Sequence, residues 1–187
     1  HQIDDLGVVD RLCMIAQNEA RFLAQCLRSV RDLVGEIVLV DTGSTDETVA
    51  IGESFGARVL HEPWNDDFAT PRNRALAAAT GKFVLQLDAD EVLAQGAVAA
   101  LRAALIRDDF ECALLPLHNA RTLEAAPGEV VSGSARLGEV MHLPRLFRRL
   151  EGLRYEGAIH ESFTRGLVEA RGRIVFVDAP LVHYGAT

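Results

Sequence analysis

Gly81-Lys82-Phe83-Val84-Leu85-Gln86-Leu87-Asp88-Ala89-Asp90-Glu91 passes from a turn residue through a mostly apolar run into carboxylates separated by one residue. The run from Lys82 to Leu87 suits a buried strand that ends at Asp88, with Gly81 before it as the C-cap of a helix over Pro71 to Ala79. Working back toward the N-terminus, Arg58 to His61 reads as a short strand, Asp46 to Phe55 as a helix and Glu36 to Val40 as a β-branched strand. Before these, Glu19 to Leu33 places Phe22, Leu23, Cys26, Leu27 and Val30 at helical spacing, and Val9 to Ala16 is a first strand. The resulting β-α-β-α-β-α-β order predicts an α/β fold with a mostly parallel sheet flanked by helices. Ligands in such sheets bind beyond the carboxyl ends of the strands, where Asn18, Asp41 and Asp88 fall.

Downstream of the carboxylates, Gly96 to Ile106 reads as a helix and Cys112 to Leu117 as a strand, while Thr122 to Gly138 is polar and glycine-containing. One domain over residues 1–187 is expected, with a ligand-binding part at about 8–107 and an irregular part at about 108–187 that shapes the side of a second substrate. The start at His1 and the stop just after His183-Tyr184-Gly185 suit a fragment of a longer chain.

The 187 residues are 49% hydrophobic and 25% charged, the balance of a globular protein, and the formal net charge of -8 argues against nucleic acid as a partner. No apolar run is long enough for a transmembrane segment. Cys13, Cys26 and Cys112 form neither a CxxC pair nor a disulfide framework, which fits a cytoplasmic location.

Asp88 and Asp90 offer oxygen ligands to Mg²⁺ or Mn²⁺, hard cations that usually complete their shell with water and substrate phosphates. An isolated acidic pair of this kind is more often a helix-capping turn; the strand before it and the motifs around it favour the metal. Asp41 at the end of the second strand can accept hydrogen bonds from a nucleoside, and Gly43 permits a tight turn. Ser44 to Glu47 also has the form of a capping box, with Thr45 or Asp46 as other capping residues. Ala16-Gln17-Asn18-Glu19 after the first strand lacks the glycines of a dinucleotide fold. Arg72 and Arg74 stand at a helix start, where the helix dipole favours anions; a negatively charged ligand would remove the conflict, either arginine can contact a phosphate or a base, and the alternative is a surface pairing with Asp66 or Asp67.

Taken together, Asn18-Glu19, Val40-Asp41-Thr42-Gly43-Ser44-Thr45-Asp46, Arg72-Asn73 and Leu87-Asp88-Ala89-Asp90-Glu91 resemble the family 2 glycosyltransferases of the GT-A fold, a Rossmann-like α/β architecture. The Asp-Thr-Gly-Ser-Thr-Asp version is similar to the branch containing lipooligosaccharide β-1,4-glucosyltransferases, as are Leu146 to Arg149 and Tyr155 to Glu161. The resemblance implies a UDP-linked nucleotide-sugar donor, glucose or a related hexose, a Mn²⁺ or Mg²⁺ ion and inversion at the anomeric carbon. It implies that Asn18, Glu19, Asp41, Thr42, Arg72 and Asp88 bind the donor, and that Asp88, Asp90 and His160 hold the metal, with His183 as the alternative to His160. Glu161 is the expected catalytic base, because direct inverting transfer needs a carboxylate to take the acceptor proton. The acceptor is a saccharide, a lipid-linked saccharide or a protein, and a cytoplasmic protein peripheral at the inner membrane is the expectation. Many members carry two consecutive Asp residues where this chain has Asp41-Thr42, which leaves the base contact open. A haloacid-dehalogenase-like phosphotransferase and a catalytically inactive nucleotide-sugar-binding module are the competing functions.

Overall fold

A computed structural model describes residues 8–157 and 171–185. Strands β1 (Val9–Ala16), β2 (Val34–Asp41), β3 (Arg58–His61) and β4 (Phe83–Gln86) lie side by side in the order β3-β2-β1-β4, all parallel. Helices α1 (Leu23–Val30), α2 (Thr48–Ser54) and α3 (Ala69–Ala78) connect them. Side chains alternate across the pleat, so a strand covered on both faces is apolar throughout. Leu12, Met14, Leu39 and Leu85 join Leu23 and Leu27 of α1 in one buried cluster, while Cys13, Val38, Val40 and Val84 meet Ala75 and Leu76 of α3 in another. The chain runs outward from β1 to β3 and returns to place β4 on the other side of β1. That reversal opens a crevice at the carboxyl ends of β1 and β4.

The second half continues the same sheet. It comprises β5 (Glu91–Leu93), α4 (Ala97–Arg107), β6 (Cys112–Ala120), α5 (Pro127–Ser132), β7 (Arg136–Arg148), β8 (Ile174–Phe176) and β9 (Leu181–His183). The strand order runs on as β4-β7-β6-β9-β5, with β8 also beside β6. Here β7 is antiparallel to both β4 and β6, and β5 is antiparallel to β9. This part is therefore more regular than the sequence suggests. The polar stretch at Thr122 to Gly138 contains α5 and the start of β7. Gly138 at φ 70 and the register shifts against β6 interrupt the alternation that would announce so long a strand.

Local expectations change in three places. Helix α1 begins at Leu23, because Phe22 and Leu23 donate to the Glu19 carbonyl at 3.1 and 3.0 Å in a turn that follows Asn18 at φ 55. The Ser44–Glu47 capping box does not form: Asp46 Oδ1 accepts the Thr48 N–H at 2.9 Å, and Ser44 Oγ accepts the Asn18 N–H at 3.0 Å. Gly81 is not the C-cap of α3, which ends at an extended Ala79. At φ 96 it turns the chain into β4, and a Cβ there would collide with the Asp10 carboxyl group that accepts the Lys82 and Phe83 N–H groups at 2.7 and 2.8 Å.

Candidate active site

The crevice is a cleft of about 290 Å³, and Gln17, Glu19, Thr42, Trp64, Phe68, Arg72, Asp88, Asp90 and His183 contribute to its lining. Its acidic edge is the turn between β4 and β5. Asp88 Oδ1 accepts hydrogen bonds from Arg72 at 2.9 Å and from Gln86 Nε2 at 3.1 Å, and Asp88 Oδ2 lies 3.7 Å from Arg145. Burial pushes the Asp88 carboxyl group up, yet the Arg72 and Arg145 guanidinium groups outweigh it and hold the group below its ordinary value. Arg72 therefore turns inward to the acidic turn instead of pairing with Asp66 or Asp67.

Behind the turn, Glu91 is 1% exposed and takes Arg145 at 2.6 Å, while its other oxygen accepts the Asp88 N–H at 3.2 Å. Arg145 also donates to Gln86 Oε1 at 2.8 Å. This network ties β4, β5 and β7 together under the cleft. Neither Glu91 nor Arg145 was expected in it, although a charge inside Leu143-Pro144-Arg145-Leu146-Phe147 is a visible signal, since arginine enters an apolar strand only with a partner.

Asp90 faces His183 from β9, with Oδ2 and Nε2 3.2 Å apart. His183 Nδ1 lies 2.8 Å from Asn119 Oδ1, so that nitrogen carries the proton and Nε2 points toward the carboxylate. A ring nitrogen and a carboxylate oxygen in this arrangement need a second proton or a cation between them. The Asp90 hydrogen bond accordingly raises the His183 pKa. Gly185 closes the space, because a Cβ there would collide with Asp90 Oδ2 and come within 2.9 Å of His183 Nε2. An oxygen and an imidazole nitrogen with room between strand ends fit Mn²⁺ or Mg²⁺, with the remaining positions left to water and phosphate. Among the described residues no group of three or more His, Cys, Asp or Glu is arranged to hold a metal.

Glu19 completes the acidic wall. Burial first, then repulsion from Asp90, Asp88 and Asp46, pushes its carboxyl group up to about 7. Asn18 does not line the cleft; its side-chain oxygen accepts the Thr45 N–H at 2.8 Å and ties the two loops that follow β1 and β2. Asp41 is buried, and its carboxylate accepts the Gly43 and Ser44 N–H groups at 3.3 and 3.2 Å, which leaves Thr42 facing the cleft. Arg74 is exposed and paired with Glu62 at 2.6 Å. His160 and Glu161 lie outside the described residues. The three cysteines are buried and free, and burial pushes the Cys13 and Cys112 thiols up to about 12, so they are poor nucleophiles.

Residues 12–167 match the model of glycosyl transferase family 2. The chain belongs to that family. A TPR repeat-containing protein of Synechococcus elongatus is 38% identical over 182 residues, covering 93% of this chain and 41% of its own length. Glycosyltransferase SunS of Bacillus phage SPbeta is 28% identical over 154 residues, 80% of this chain and 33% of its own. The chain thus spans less than half the length of these relatives. Glucosyl-3-phosphoglycerate synthase from Mycobacterium tuberculosis, crystallised with Mn²⁺, UDP and phosphoglyceric acid, has the same fold at a TM-score of 0.66 and 20% identity, covering 97% of this chain and 72% of that one. Family 2 membership removes the ground for the phosphotransferase alternative. No helix among the described residues is long and apolar enough to cross a membrane.

Proposed function

We propose that this chain is the catalytic domain of a glycosyltransferase that moves a hexose from a UDP-linked donor to a saccharide, lipid-linked or protein acceptor, with inversion. The observation that carries this reading is the Asp90–His183 pair at the edge of a cleft of nucleotide size. Asp90 and His183 would hold Mn²⁺ or Mg²⁺, as the donor chemistry of the pair allows; Mn²⁺ and UDP occur together in the mycobacterial neighbour. A cation bound there supplies positive charge to the leaving diphosphate. Asp88 sits deeper, and its role is to keep the Arg72 guanidinium against the cleft, where it can meet a phosphate. Glu19, a half-buried carboxyl group, limits the space left for the sugar. Glu161 takes the proton from the acceptor hydroxyl as the new glycosidic bond forms and the bond to the diphosphate breaks. The hydroxyl needs no second carboxylate, in contrast to a typical glycosidase.

Calorimetry of UDP binding with and without Mn²⁺ tests the assignment. Asp90→Asn and His183→Ala should each remove the Mn²⁺-dependent part of the affinity while the folded protein persists. Unchanged Mn²⁺-dependent binding in both would overturn the metal pair. Binding without transfer to any acceptor in the unaltered protein would turn the reading into that of an inactive module.

A further inference from the structure

After β7 the chain turns at Leu150 to Leu153, where the Leu153 N–H donates to the Leu150 carbonyl at 3.1 Å, and returns to α3. There the Asn73 side chain takes hold of the Tyr155 backbone at both of its polar groups. Asn73 Nδ2 donates to the Tyr155 carbonyl at 2.9 Å, and Asn73 Oδ1 accepts the Tyr155 N–H at 2.7 Å. A carboxamide that exchanges both bonds with one residue fixes its position and its direction, as a hydrogen-bonded pair in an antiparallel ladder does. The Tyr155 ring points inward. It is buried and meets the Phe147 ring nearly edge-on, with centroids 6.5 Å apart and planes at 80°, in the cluster that also holds Ala75, Leu76 and Val84.

Arg72 stands against the same ring. Its guanidinium carbon is 5.8 Å from the ring centre, within reach of a cation–π contact, while Nη2 donates to Asp88 Oδ1 at 2.9 Å. The guanidinium is thus held between a carboxylate and an aromatic ring. The cavity that Arg72 and Tyr155 share with Gln86 and Phe147 is about 10 Å³, too little for the guanidinium to shift into. A long side chain that must meet a phosphate with a fixed fork binds better when its freedom is removed beforehand. Two neighbours on α3 provide this together: Arg72 reaches the acidic turn, and Asn73 holds the residue whose ring lies against Arg72.

We infer that Tyr155, clamped by Asn73, is a positioning residue for Arg72, whose guanidinium it keeps aimed before a phosphate arrives. The inference rests on the donor-site reading above. It adds two residues that lie outside the lining of the cleft, and it gives a role to the first residue of the Tyr155 to Glu161 stretch.

Calorimetry of UDP with Mn²⁺ tests this on Tyr155→Leu, Tyr155→Phe, Asn73→Ala, Arg72→Ala and the double variant of Arg72→Ala with Tyr155→Leu. The Arg72 guanidinium resonances of the unliganded proteins are followed by ¹⁵N NMR. Tyr155→Leu should weaken UDP binding about tenfold, the scale of a desolvated cation–π contact, and Tyr155→Phe, which keeps the ring, should stay within about twofold. Asn73→Ala leaves the ring in the protein but releases its backbone, and should fall between the two. In the double variant Tyr155→Leu should cost nothing beyond Arg72→Ala, because its effect passes through the arginine. The Arg72 resonances, shifted by the ring current, should move in Tyr155→Leu before any ligand is added.

Additive losses in the double variant would overturn the role, since Tyr155 would then act apart from Arg72. A loss in Tyr155→Phe as large as in Tyr155→Leu would overturn it too and assign the effect to the hydroxyl. Should Tyr155→Leu fail to fold, Asn73→Ala alone and combined with Arg72→Ala makes the same comparison. Unchanged UDP affinity in Asn73→Ala and Tyr155→Leu would sink the positioning role and leave the donor site standing. Absence of UDP binding by the unaltered protein, with or without Mn²⁺, would remove the donor-site reading and this role with it.

Discussion

On the β4–β9 side of the cleft, Asp88, Asp90, Glu91, Arg72, Arg145 and His183 are held in ion pairs and hydrogen bonds of 2.6 to 3.2 Å. On the β2–β3 side, Thr42, Gln17, Trp64 and Phe68 present hydroxyl, amide and aromatic surface with looser contacts, such as 3.4 Å between Thr42 and Gln17. The difference teaches how one cleft can serve two ends of one ligand. Charge is expensive to bury and must be fixed in advance by partners, so the charged wall is a rigid network. Aromatic rings and neutral polar groups tolerate solvent, so the other wall can stay open.

If the charged wall is the rigid one, its buried ion pair should give the largest response. Arg145→Met leaves Glu91 at 1% exposure without its guanidinium partner, and breaking a buried pair from one side costs about 3–5 kcal/mol. Urea unfolding of Arg145→Met, Glu91→Gln and the double variant measures it. The double variant should recover much of the loss, since it leaves no unpaired charge. Equal, additive losses would show that the pair is not coupled and that the wall owes its order to something else.

A smaller effect is expected where the wall meets the ligand. Gly185→Ala puts a methyl group into the space between Asp90 and His183. Changes to the residues that support metal ligands typically cost about 10- to 100-fold in affinity. Gly185 is exposed, so the melting temperature of the protein alone should hardly move. Mn²⁺ titration followed by electron paramagnetic resonance separates the two readouts. Unchanged Mn²⁺ affinity would place the cation away from His183.

The two halves of the fold were unequally legible in the sequence. Strands β1 and β3 have the bounds expected from the sequence, Val9–Ala16 as a largely apolar run and Arg58–His61 as a short segment after a helix. The order of β1 to β4 then placed Asp88 and Asp90 beside the crevice. In the second half, β7 spends its length half-exposed, carries Gly138 and Pro144, and takes its register from a bulged partner, so no local pattern announces it. The site shows the same division. Asp90 could be named from its own motif, but its apposition to His183 depends on the pairing of β5 with β9, a contact between distant parts of the chain. Arg145 reaches Glu91 only because β7 lies next to β4. Trp64 and Phe68 fall between β3 and α3, where no periodicity reveals that both rings open into a cleft.

The smallest effect separates the two arginines of α3, which the sequence presents as equals. Arg72 is 8% exposed and donates to Asp88, and its guanidinium carbon also stands 5.8 Å from the centre of the Tyr155 ring. Arg74, two residues on, points about 200° around the helix, away from the cleft. Its side chain is 46% exposed and pairs with Glu62 at 2.6 Å. An exposed pair of this kind contributes about 0–1 kcal/mol, because solvent screens the attraction and ordering two long side chains costs entropy. Arg74→Ala should therefore change the urea midpoint only slightly, with the small difference shrinking further at high salt. UDP affinity should stay at the level of the unaltered protein, while Arg72→Ala should lower it by removing the guanidinium nearest the acidic turn. The decisive comparison is calorimetric UDP affinity for both variants at equal folded fraction. A loss in Arg74→Ala as large as that in Arg72→Ala would mean that α3 meets the donor with its outer face. The charged wall would then extend beyond β4 and β9, onto the side of the cleft assigned here to neutral and aromatic groups.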